Sequence, residues 1–109
     1  MTIKILVIKS LRDEIYKKFK KDSLKVYNLI NSLRDNLNKG KHLGKISTFI
    51  LKELKYKNFR FYFIIKENEL ILYRKEDIKE LLIKFIDMSN KNKQQQTINK
   101  IKIILKNLN

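Results

Sequence analysis

Residues 39 to 62 carry seven bases and a single acid, Glu53, and they hold the side chains best suited to binding an anion. Ile46 to Tyr56 and Phe59 to Ile65 are rich in β-branched and aromatic residues, and the polar pair Lys57-Asn58 separates them, so they read as a β-hairpin. A period of two puts Glu53, Lys55 and Lys57 on one face of the first strand and Lys52 on the other. On the second strand Arg60, Tyr62 and Ile64 share a face, while Phe59, Phe61 and Phe63 point the opposite way and must be core. A base-rich sheet face with an aromatic ring suits single-stranded RNA, because cations hold phosphates and a ring stacks on a base. Arginine occurs only four times beside 22 lysines, so Arg60 inside an aromatic strand points to a planar, bidentate role. Its target is either a phosphate or a carboxylate, and a salt bridge to Glu53 across the hairpin fits equally well. Tyr56, Tyr62 and Tyr73 also suit ordinary strand packing, and a lysine-rich face also suits plain solvation.

Other chemistries lack their parts. The chain has no Cys, which excludes a disulfide framework, a thiolate zinc site and a cysteine nucleophile. Its only His, His42, falls in a Gly40 to Gly44 loop and reads as a surface residue. There is no glycine-rich phosphate loop, HExxH motif or calcium-loop run of acids, so neither metal nor cofactor is implied. Glu76, Asp77 and Glu80 are interleaved with Lys75 and Lys79 and read as a charge-balanced turn.

The elements that must position the hairpin follow from length and pattern. With 109 residues, 43% of them hydrophobic, the chain is long enough for one core, and a single domain over 1–109 is expected. Ile3 to Ile8 reads as a strand buried on both faces. Ser10 and Asp13 have the spacing of a capping box, opening a helix with Leu11, Ile15 and Phe19 inward. Asp22-Ser23 starts a second helix with Val26, Ile30, Leu33 and Leu37 inward, and Gly40 is its expected left-handed cap. After the hairpin come a strand at Leu70 to Tyr73 and a last strand at Leu81 to Met88, reached through a short helical turn at Lys75 to Lys79. Ile98, Ile101, Leu105 and Leu108 predict a terminal helix. The order predicts an α+β fold: one antiparallel-dominated sheet of about four to five strands, an N-terminal helical hairpin and a C-terminal helix. The net charge of +15 favours a polyanionic or acidic partner. No run approaches a membrane span and no cleavage site follows Ile3 to Ile8, so a cytoplasmic location is expected.

Several segments resemble the RelE/ParE toxin superfamily, in particular its RelE and HigB branch, which includes phage-derived members. Leu43-Gly44 followed by Leu51-Lys52-Glu53-Leu54-Lys55 resembles that family's loop leading to Glu-Leu-Arg, with Lys55 in place of the arginine. Phe59-Arg60-Phe61-Tyr62-Phe63 resembles the tyrosine-arginine strand that follows. Ile83-Lys84-Phe85-Ile86 and the Lys91 to Gln96 stretch resemble the last strand and its basic exit into a terminal helix. Asp87-Met88-Ser89 stands where the family carries an aromatic residue or histidine. The resemblance implies a RelE-like fold and the toxin of a toxin-antitoxin system, an endoribonuclease that cuts mRNA on the ribosome without a metal and is neutralised by an acidic antitoxin. Carried over by position, Arg60 becomes the phosphate clamp and Lys55 its companion cation. Charge and placement add Lys57 to the catalytic set, and Lys52, Tyr62, Lys84, Lys91 and Lys93 as RNA contacts. A ParE-like inhibitor of DNA gyrase and a non-catalytic RNA or ribosome binder are the alternatives on the same scaffold.

Overall fold

The computed structural model describes residues 2–108. Strand β1 (Lys4–Val7) leads into helices α1 (Lys9–Phe19) and α2 (Ser23–Asn31), which are separated by a 3₁₀ turn at Lys20–Asp22. A second 3₁₀ turn, Ser32–Arg34, precedes β2 (Lys41–Ile46), β3 (Phe49–Tyr56), β4 (Phe59–Lys66) and β5 (Glu69–Tyr73), and helices α3 (Lys75–Lys91) and α4 (Gln95–Asn107) complete the chain. The strands form one mixed sheet in the order β1-β5-β4-β3-β2, with β1 parallel to β5 and the other neighbours antiparallel. The architecture is α+β. Among the described residues no helix is long and apolar enough to cross a membrane.

Helices cover both faces of the sheet. Leu11, Ile15, Val26, Ile30 and Leu33 from the first helical pair and its 3₁₀ turn pack on Leu54, Phe59, Phe61, Phe63, Leu70 and Leu72. On the other face Ile78 and Leu82 of α3 and Ile101 and Ile104 of α4 pack on Ile46, Phe49, Leu51, Tyr62 and Ile64. Strand β4 lies at the centre of the sheet and is buried on both faces from Phe61 to Ile64, which is why it is almost entirely apolar. Each fully buried Phe or Leu side chain contributes roughly 1.5–3 kcal/mol of transfer free energy, so this strand anchors both layers.

Several expectations are corrected. The last strand at Leu81 to Met88 is the interior of α3, because Ile78, Leu82 and Ser89 fall on one buried helical stripe and the acids Glu76 and Asp77 suit its first turn. The Gly40 to Gly44 loop is mostly β2, an edge strand that pairs with β3 through an irregularity between His42 and Gly44. His42 is nonetheless exposed. Strand β1 is an edge rather than a strand buried on both faces: Leu6 is 38% exposed. The Ser10 capping box does not form; Ser10 lies inside α1 and its hydroxyl donates to Asp77 Oδ2 at 2.7 Å. Gly40 does adopt a left-handed φ of +91°, but well beyond α2. Its task is close approach, since a Cβ there would sit 2.7 Å from the Glu53 carbonyl oxygen and 3.1 Å from the Phe63 ring.

Candidate anion-binding cleft

The two-residue loop Lys57-Asn58 closes the β3–β4 hairpin and fixes its register, setting Tyr56 opposite Phe59, Lys55 opposite Arg60 and Glu53 opposite Tyr62. Lys55 and Arg60 therefore carry like charges directly across an antiparallel pair, an arrangement that costs stability unless a negative group lies between or beside them. Both line a cleft of about 500 Å³ together with Asn58, Phe59 and Tyr62, Glu14 from α1, and Lys75 and Glu76 from the start of α3. Arg60 is partly compensated: its Nε lies 3.8 Å from Glu53 Oε1, with the side chains 38% and 12% exposed. At that separation the pair is ionic contact without a hydrogen bond.

Tyr62 lines the same cleft but is fully buried, and its hydroxyl has no hydrogen-bond partner among the described residues. Burial pushes its phenol above the ordinary value of 10.0; the nearby Glu53 carboxylate pushes the same way, Arg60 opposes and Glu76 adds a smaller upward push.

The start of α3 is tied to α1. Arg74 donates from Nε to Asp77 Oδ2 at 2.7 Å and from its terminal nitrogen to Oδ1 at 3.2 Å, a bidentate grip, and Ser10 donates to the same carboxylate. The Arg74 hydrogen bonds hold the Asp77 carboxyl below its ordinary 3.8, against a smaller upward push from burial, and the Ser10 hydroxyl helps. Arg74 also lies 3.7 Å from Glu14. This network fixes the start of α3, which carries Lys75 and Glu76, against α1.

Of the residues singled out in the sequence, the cleft gathers Arg60, Lys55 and Tyr62, the last as buried floor and not as an exposed stacking ring. Lys57 sits in the hairpin loop with its ammonium 5.7 Å from the Tyr56 ring centre and does not line the cleft. Lys52 is turned to the opposite layer, 8% exposed, and its ammonium donates to the Leu37 carbonyl at 2.9 Å. That commitment removes it from any surface contact with RNA. Lys84, Lys91 and Lys93 are exposed, but on or just beyond α3 rather than on a strand. At 1.5 Å rise per residue, Lys91 stands about 24 Å along the helix from Lys75, too far to share a phosphate with the cleft. Glu14, Lys75 and Glu76 were not singled out as site residues, because their placement depends on elements remote from the hairpin. Following the helical spacing of Ile78, Leu82 and Ser89 upstream would have brought Lys75 and Glu76 to a helix N-terminus.

A larger hollow of about 670 Å³ lies over the α3 and α4 side of the sheet, lined by Ile46, Phe49, Ile64, Ile71, Leu81 and Phe85 with a rim of hydroxyl and amide side chains and the charged Lys66, Glu67 and Glu69. Its one cation, Lys66, is outnumbered there by Glu67 and Glu69, whereas Lys55, Arg60 and Lys75 all line the smaller cleft. Comparison with protein-family models, with curated proteins and with solved structures gave no match.

Proposed function

We propose that this protein is a RelE-like toxin that cuts ribosome-bound mRNA, with the Lys55–Arg60 cleft gripping the phosphate at the cleaved bond. The observation that carries this reading is the like-charged pair set face to face at one end of the sheet, an arrangement a bound phosphate relieves. The strand order β1-β5-β4-β3-β2 with a helical pair on one face, and the net charge of +15, are in keeping with it. In such a reaction the 2′-oxygen of one nucleotide attacks the adjacent phosphorus and the 5′-oxygen of the next departs. Negative charge builds on the phosphate oxygens as the bonds exchange, and Arg60 and Lys55 are placed to stabilise it. An acidic antitoxin covering the cleft neutralises the activity by the same electrostatic complementarity.

Purified protein incubated with ribosomes and mRNA is expected to yield cleavage that falls about 100-fold or more in Arg60→Ala. Intact mRNA with the folded wild-type protein would defeat the reading. Inhibition of gyrase in a supercoiling assay with intact mRNA would favour the ParE-like alternative instead.

The dispersal of Lys84, Lys91 and Lys93 along and just beyond α3 favours a second reading, an RNA or ribosome binder that does not cut. There, affinity falls with salt at a log–log slope of about −0.7 per phosphate contacted, and the RNA remains whole.

A further inference from the structure

A reaction that begins on a 2′-hydroxyl needs a group to take its proton, and the carboxylates around the cleft are not equivalent. Glu53 is paired with Arg60, Glu14 with Arg74, and Asp77 is gripped by Arg74 and Ser10. A carboxylate that already faces a guanidinium has oxygens occupied by that partner and is less free to meet a substrate hydroxyl. Glu76 lines the cleft, is exposed, and makes no ion pair among the described residues. It sits in the first turn of α3, one residue before Asp77, so the Asp77–Arg74–Ser10 network holds its backbone against α1, and it lines the cleft together with Lys55 and Arg60.

Resting on the nuclease reading of this cleft, we infer that Glu76 is the proton acceptor for the attacking 2′-hydroxyl. The Glu76 carboxylate takes the hydroxyl proton as the bond from the 2′-oxygen to phosphorus forms. The bond from phosphorus to the 5′-oxygen breaks, and that oxygen is protonated by the ammonium of Lys55 or Lys75, both of which line the cleft. The products are a 2′,3′-cyclic phosphate and a 5′-hydroxyl, and no water, metal or other reactant enters the balance.

The test compares wild type, Glu76→Gln and Glu76→Asp in single-turnover cleavage of ribosome-bound mRNA across a pH series, with ribosome affinity measured by co-sedimentation. Gln keeps the size and hydrogen-bonding capacity of Glu but cannot accept the proton. It should slow cleavage about 100-fold, leave affinity within about twofold and flatten the rise of rate with pH on the acid side. Asp retains a carboxylate on a shorter arm and should fall between the two. Glu76→Gln cleaving within about threefold of wild type would overturn the assignment while leaving the nuclease reading intact. A matching loss of ribosome affinity, or products bearing a 5′-phosphate, would overturn it too. If the folded wild-type protein cuts nothing, the nuclease reading fails and the role of Glu76 falls with it.

Discussion

Tyr62→Phe is the most direct test of how the cleft is built. The ring is fully buried on the central strand, between Glu53 across the hairpin and the helices that cover this face, and its hydroxyl finds no partner among the described residues. In the unfolded chain that hydroxyl is hydrated, and in the folded chain no side chain or backbone group among the described residues replaces that bond, at a cost of about 1–3 kcal/mol. Phenylalanine keeps the ring contacts and never pays that penalty, while losing the packing of one oxygen atom. The net expectation is a stabilisation of about 1 kcal/mol, a rise of roughly 4–6 °C in Tm for a domain of this size. Urea denaturation followed by circular dichroism should show a higher midpoint with an unchanged slope. The pH dependence supplies an independent arm. Because burial raises the phenol above 10.0 in the folded state, the neutral form is favoured there. Its stability contribution is complete below pH 10 and drains away as pH rises towards and through the folded value. Tyr73 is raised by burial in the same sense, so the alkaline loss should shrink in Tyr62→Phe without vanishing. A destabilisation of about 1 kcal/mol or more in Tyr62→Phe would refute the reasoning, since it would mean that the hydroxyl is bonded to Glu53 or to an ordered water.

Asp77→Asn removes the charge from the bidentate Arg74 bond and should destabilise by about 1–3 kcal/mol at neutral pH. Since the folded carboxyl is held below 3.8, this difference should be complete above that value and disappear as acid titration passes through the depressed folded value. Gly40→Ala should cost more than Gly44→Ala in a chemical denaturation series. At Gly40 a Cβ meets the Glu53 backbone and the Phe63 ring at a left-handed φ, a strain of about 1–3 kcal/mol before any clash is counted. At Gly44 it meets the movable end of Ile104 at 2.7 Å, so the α4 contact yields first, and equal losses would show that backbone strain is not the deciding term. Lys52→Ala should lower stability by about 1–3 kcal/mol by stripping the Leu37 carbonyl of its donor, and should leave the salt dependence of RNA binding unchanged. A shallower salt slope in that variant would place Lys52 on the RNA after all.

The hairpin was legible from sequence because both its signals are local. Alternation put Phe59, Phe61 and Phe63 on one face, where they meet α1 and α2, and Lys57-Asn58 marked a loop short enough to fix the register. The consecutive helices at the start and the helix at the end were legible for the same reason, through apolar spacing within a few turns. Leu81 to Met88 misled because a short, dense apolar run suits a strand as well as a buried helix, and what decides is the wider spacing from Ile78 to Ser89. β2 is too polar to announce itself and exists because β3 offers it a pairing edge, with Gly44 admitting Ile104 of α4.

For the candidate site, sequence alone determined that Arg60, Tyr62 and Ile64 share a face, and the hairpin register then sets Lys55 against Arg60. It did not determine what covers that face. The packing of α3 and α4 buries Tyr62 and Ile64, leaves Arg60 half-exposed, brings Lys75 and Glu76 to the cleft, and carries Lys91 and Lys93 away from it. Which way a side chain points along a strand follows from the residues beside it, whereas whether it meets water or another layer depends on contacts with segments far away in the chain, and only the tertiary structure decides those.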